Sequence, residues 1–95
     1  MNISDLQKEI KSRDFNPELK AGYFMKLVEE VGELAEVIRK DKKFRGGDQK
    51  EIKGTIDEEL YDILYYVLAL ANAYDIEMEE AIEAKEKINK ERRKY

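Results

Sequence analysis

Glu59–Ala71, ELYDILYYVLALA, is the most apolar run in the chain, yet it contains two acids, Glu59 and Asp62. Just upstream, Thr55-Ile-Asp-Glu58 reads as a capping box, in which the Thr55 hydroxyl accepts from the Glu58 N–H and opens a helix. That helix is expected to run to Tyr74. Leu60, Ile63, Leu64, Val67, Leu70 and Ala71 fall on one side of it, and Tyr61, Tyr65 and Leu68 on the other. A helix that is apolar nearly all round has to be covered on most sides. A 95-residue chain cannot easily cover it alone, so part of it is expected to face a second subunit. Tyr61, Tyr65, Tyr66 and Tyr74 suit such a partly wet contact. A carboxylate set in this surface is costly unless it is paired, hydrogen-bonded or bound to a cation. Glu59 and Asp62 are therefore the residues to explain.

Working outward, the segment from Pro17 to Lys40 reads as a second helix, with Asn16-Pro17 as its start signal. Phe24, Leu27, Val28, Val31, Leu34, Ala35 and Ile38 recur at helical spacing and are expected to form its buried face. Glu29, Glu33 and Glu36 lie opposite, and Glu30 lies on the border. Gly32, in mid-helix, costs about 1 kcal/mol relative to alanine, which close approach of another helix or a ligand would offset. Residues 41–54, DKKFRGGDQKEIKG, read as a loop with a short helical piece at 48–53. Residues 3–13 read as a first helix, capped by Ser4 with Gln7 completing a capping box. After a turn at 73–77, a last helix runs to Arg92, with Met78, Ala81, Ile82, Lys85 and Ile88 on its inner side. The expected fold is all-α, a four-helix bundle completed by dimerisation, with residues 1–95 as one domain.

Charged residues make up 42% of the chain, and the net charge is −4, which argues against nucleic-acid binding. There is no cysteine and no histidine, so disulfides, thiolate sites and histidine chemistry are excluded. The opening MNISDLQKEIK lacks the apolar segment of a signal peptide, and no run approaches a membrane span, so a cytoplasmic protein without a membrane partner is expected.

Two acidic motifs remain: Glu29-Glu30-x-x-Glu33 and Glu59-x-x-Asp62. Residues three apart on a helix are surface neighbours. Glu30 with Glu33, and Glu59 with Asp62, thus make two carboxylate pairs that two packed antiparallel helices can bring to one point. An all-oxygen site of this kind suits a hard divalent cation, Mg²⁺ or alternatively Mn²⁺. The first motif alone also fits an ordinary solvated helix face, and the second also fits pairing with lysines. A di-iron carboxylate bundle is excluded, because it needs Glu-x-x-His motifs.

The order E-E-x-x-E, loop, E-x-x-D on an apolar helix resembles the MazG-like all-α nucleoside triphosphate pyrophosphohydrolases. KLVEEVGELAEVIRK and DEELYDILYYVLALANAYDIEMEEAIEAKEKINKERR carry the resemblance, over roughly residues 20–93. It implies cleavage of a nucleoside triphosphate between its α and β phosphates, giving a monophosphate and pyrophosphate. It implies Glu30, Glu33, Glu59 and Asp62 as Mg²⁺ ligands, and Glu29 as an acid that supports the ligands or positions water; on the chemistry alone, Glu29 or Glu33 could orient the attacking water. Lys85, Lys87, Asn89 and Arg92 would meet the phosphates; an ordinary basic helix end is the alternative. Lys26, four residues before Glu30, is expected in a surface ion pair at that spacing. Phe15, Tyr23 and Phe24 are candidates to stack on a base, with core packing as the other reading. A homodimer or homotetramer is expected. The rival functions are a phosphoribosyl-ATP pyrophosphohydrolase-like enzyme and a non-catalytic helical dimer.

Overall fold

A computed structural model describes residues 1–93. Among them are four α-helices and no strand: α1 Ile3–Arg13, α2 Lys20–Lys40, α3 Ile56–Ala73 and α4 Met78–Arg92. Two short 3-10 turns, Pro17–Leu19 and Gln49–Ile52, lie between them. The all-α expectation and the four helices are as the sequence indicates. The start of α1 is not: Asn2, not Ser4, is the N-cap, its side chain accepting from the Asp5 N–H at 2.8 Å. Gln7 is consequently free of any capping box. Thr55 does cap α3, accepting from Glu58 N–H at 3.2 Å, while the Glu58 carboxylate reaches back one residue further, to the Gly54 N–H.

The principal packing is α2 against α3, with α1 laid across α3 and touching α4. The core is small: Ile10, Tyr23, Leu68, Ala69 and Ala73 are buried together, flanked by Leu6, Tyr65, Tyr66, Leu70 and Met78. Leu68 is 1% exposed against Ile10 of α1. Its side of α3 is therefore closed by the chain's own first helix, not by a second subunit.

On α2 the face turned inward differs from the expected one. Tyr23, Leu27, Glu30, Leu34 and Val37, in alternating steps of four and three, form the covered stripe. Phe24, Val28, Val31, Ala35 and Ile38 repeat the same steps one residue later and face outward. Phe24 is 52% exposed and Ile38 54%. The reason is geometric: one residue is about 100° of helix, so both stripes cannot meet the same neighbour. Leu60 and Leu64 of α3, and Ile82 and Ile88 of α4, are exposed too, so the expected inner side of α4 is mostly uncovered. The radius of gyration is 15.6 Å, against about 12 Å for a compact chain of this length. The turn between α3 and α4 is fixed by polar bonds. Gln7 donates to Asn72 Oδ1 and to the Ile76 carbonyl, and accepts from the Met78 N–H at the start of α4.

The 41–54 loop is tied to the start of α3. The Phe44 N–H donates to Asp57 Oδ1 at 2.7 Å, and the Ile56 N–H to the Lys42 carbonyl at 2.8 Å.

Candidate metal centre

α2 and α3 set their acids face to face at the N-terminal end of α3. Glu30, on the covered stripe of α2, is half-buried, and Glu33, one turn on, is exposed. Glu59, in the first turn of α3, is 7% exposed. Carboxylate oxygens of Glu30, Glu33 and Glu59 lie within 4.8 Å of one another, and so do those of Glu58, Glu59 and Asp62. Glu59 belongs to both groups, so the four acids expected to hold a cation converge around it. Glu58 is a further acid beside the cluster that the sequence reading left to helix capping. Its i−1 position to Glu59, at the mouth of the same helix, is the signal that could have found it.

The electrostatics are those of crowded carboxylates. Burial, then the facing Glu30, then the charges of Glu33 and Asp62 push Glu59 up to about 7. Burial also raises Glu30; its hydrogen bond with Glu59 acts against this, and the charges of Glu33 and Asp62 add to the rise. Asp62 is raised by burial, then by Glu58 and Glu33. Glu30 Oε2 and Glu59 Oε2 are buried with no hydrogen-bond donor among the described residues. Ion pairs among the described residues join Lys26 to Glu29 and Arg39 to Glu36, so no lysine or arginine neutralises the cluster. Two buried acceptor oxygens without a donor, within a set of hard oxygen donors, fit a divalent cation.

Other expected site residues are placed elsewhere. Glu29 points outward, 4.0 Å from Lys26, and shares neither group of oxygens. Lys26 is thus in a surface pair, but with Glu29, three residues on, and not with Glu30, which turns toward α3. Lys85 and Lys87 are exposed on α4, as is Arg92, while Asn89 is half-buried and donates to Glu86. None of the four lines the cavity beside the carboxylates, which is bounded by Arg13, Glu30, Tyr61, Asp62, Tyr65 and Tyr66. Tyr61, Tyr65 and Tyr66 are residues that the sequence places in a subunit contact, and Arg13 is one to which the sequence gives no role. Tyr23 is held in the core by its hydroxyl, which donates to Asp14, and Phe15 lies under Lys11.

The profile of the MazG nucleotide pyrophosphohydrolase domain matches residues 20–95. Crystal structures of iMazG from Vibrio DAT 722 superpose closely. Its C-terminally tagged form gives a TM-score of 0.88 at 51% identity, covering 95% of this chain and 99% of that one. The N-terminally tagged form gives 0.88 at 50% identity, covering 97% of each. The uncharacterized protein YpjD of Bacillus subtilis (strain 168) is 32% identical over 85 residues, which span 83% of this chain and 75% of that protein. With α2, the carboxylate helix α3 and α4 all inside the matched region, the chain belongs to the MazG nucleotide pyrophosphohydrolase domain family.

Proposed function

We propose that the chain is a Mg²⁺-dependent hydrolase that splits nucleoside triphosphates into a nucleoside monophosphate and pyrophosphate. The observation that carries this reading is the pair of buried, donorless oxygens on Glu30 and Glu59 within a cluster that no basic side chain neutralises among the described residues. Glu30, Glu33, Glu59 and Asp62 would hold the cation, Mg²⁺ or in its place Mn²⁺. When bound, it neutralises phosphate charge and acidifies a coordinated water.

The chain's own residues have three tasks. The α2–α3 packing holds Glu30 and Glu59 in place, so little reorganisation is needed when the substrate arrives. Glu29 and Glu33, both on the solvent side of α2, orient the attacking water and take up its proton. Lys85, Lys87, Asn89 and Arg92, which lie away from the cavity within the single chain, are the phosphate contacts proposed on α4. The outward stripe of α2 and the exposed Leu60 and Leu64 of α3 support a homodimer or dimer of dimers.

Pyrophosphate release is measured across the ribo- and deoxyribonucleoside triphosphates, with Mg²⁺ and with the cation chelated. Release that requires Mg²⁺ is expected; no release from any of them overturns the reading. Adding phosphoribosyl-ATP to the panel separates the neighbouring substrate class.

A further inference from the structure

The cavity beside the carboxylates has a volume of about 380 Å³ and is bounded by two acids, three tyrosines and one cation, Arg13. Arg13 is in the last turn of α1, outside the residues matched by the family profile. Its nearest acid in sequence, Asp14, takes its hydrogen bonds from neutral donors, and the Arg13 charge is the smallest of the influences on it. Asp14 accepts from the Tyr65 hydroxyl at 2.7 Å, the Tyr23 hydroxyl at 2.9 Å and the Asn16 amide at 3.2 Å. These bonds tie the end of α1 to both α2 and α3, and so fix the backbone of Arg13 at the cavity lip. Among the described residues no carboxylate lies within 4.0 Å of the Arg13 guanidinium. A guanidinium carried at the lip of a cavity that Glu30 and Asp62 also line is arranged for an anion that bridges the two, and a polyphosphate held by a cation has that form. Guanidinium binds phosphate oxygens in pairs, with a geometry an ammonium cannot reproduce.

We infer that Arg13 is a substrate-contacting residue, which grips the phosphate chain in the tyrosine-walled cavity next to Glu30 and Asp62. This deepens the proposed function and rests on it, but its test does not depend on turnover. Binding of inorganic triphosphate in the presence of Mg²⁺ is measured by calorimetry for the wild type, Arg13→Gln and Arg13→Lys. Loss of a charged phosphate contact is expected to weaken Arg13→Gln about tenfold or more, with Arg13→Lys in between. The rise in melting temperature produced by Mg²⁺ alone is expected to be equal in all three. With a nucleoside triphosphate, Arg13→Gln is expected to raise KM more than it lowers kcat.

Equal triphosphate affinity in the wild type and Arg13→Gln, or no binding to the wild type, overturns the inference. So does loss of the Mg²⁺ response in Arg13→Gln, which would make the residue a support of the carboxylates. A wild type that binds inorganic triphosphate through Arg13 but hydrolyses no nucleoside triphosphate overturns the proposed function and leaves the Arg13 contact standing.

Discussion

Asn72 and Glu59 lie on the same helix and have the same exposure, 7%, but their surroundings are opposite. Asn72 Oδ1 accepts from the Gln7 amide at 3.0 Å, and its own amide donates to the Gln7 carbonyl at 3.1 Å. Gln7 in turn serves Ile76 and Met78, so the polar atoms at this end of α3 are matched donor to acceptor. At the other end, Glu59 faces Glu30, and one oxygen of each has no donor among the described residues. A satisfied buried network fixes a fold, whereas an unsatisfied one lowers stability and needs another reason to exist. Burial alone does not separate these cases; the partner count does.

The comparison is broken most sharply at Glu59. Glu59→Gln removes a charge that the apo fold has to desolvate, and also removes a ligand. Pyrophosphate release is expected to fall at least about a hundredfold, and the rise in melting temperature with Mg²⁺ to disappear. Without the cation, and above the Glu59 pKa of about 7, the variant is expected to be at least as stable as the wild type. A less stable apo variant under those conditions would show that Glu59 has a structural partner after all.

Gln7→Ala probes the other end and is expected to do the reverse. It leaves Asn72 Oδ1, the Ile76 carbonyl and the Met78 N–H without their side-chain partner, at a cost of about 1–3 kcal/mol, read from urea unfolding. The melting-temperature response to Mg²⁺ is expected to stay as in the wild type. If that response vanishes, the two clusters are coupled along α3 and are not separate devices.

The same contrast has a pH signature. Glu59 is raised from 4.5 to about 7, so its contribution to stability is complete below 4.5 and is lost as pH rises through 7. Glu30 and Asp62 are raised as well and act in the same direction. Asp14 is lowered from 3.8, chiefly by the Tyr65 hydroxyl, so its contribution is present above 3.8 and is lost on further acidification. Metal-free protein is therefore expected to melt at lower temperature as pH rises from 4.5 to 7, and excess Mg²⁺ to reverse that slope. A flat metal-free profile across this window would mean that Glu59 is not raised.

The amino-acid sequence made some of this legible and hid the rest for physical reasons. Period and capping residues marked the helices, because α-helix propensity and hydrogen bonding are local. Glu59 and Asp62 stood out because charge in an apolar helix is locally anomalous. Gln7 was misassigned because a serine three residues ahead satisfies a local rule, while its real partners, Asn72 and Met78, are about seventy residues away. Arg13 was invisible as a site residue for the same reason: only the packing of α1 across α3 brings it to Glu30 and Asp62. On α2 the two parallel stripes merge into one broad apolar face, and nothing local indicates which of them the chain itself covers.

Gly32 gives the finest test of that last contrast. It borders the outward stripe, beside Val28, Val31 and Ala35, and a Cβ placed there meets nothing within 4 Å. Within one chain, Gly32→Ala simply trades a flexible helix residue for a good helix former, a gain of up to about 1 kcal/mol. That gain is expected in thermal unfolding, with the mass in solution unchanged by light scattering. If the seam with a second copy runs over Gly32, the added methyl group instead meets a backbone, and both stability and assembly fall together. Protein concentration distinguishes the two sources of any loss. A defect inside the chain is independent of it, whereas a weakened seam recovers as concentration rises. The sign of this small effect thus tells whether or not a second copy seats over Gly32 on the outward stripe of α2.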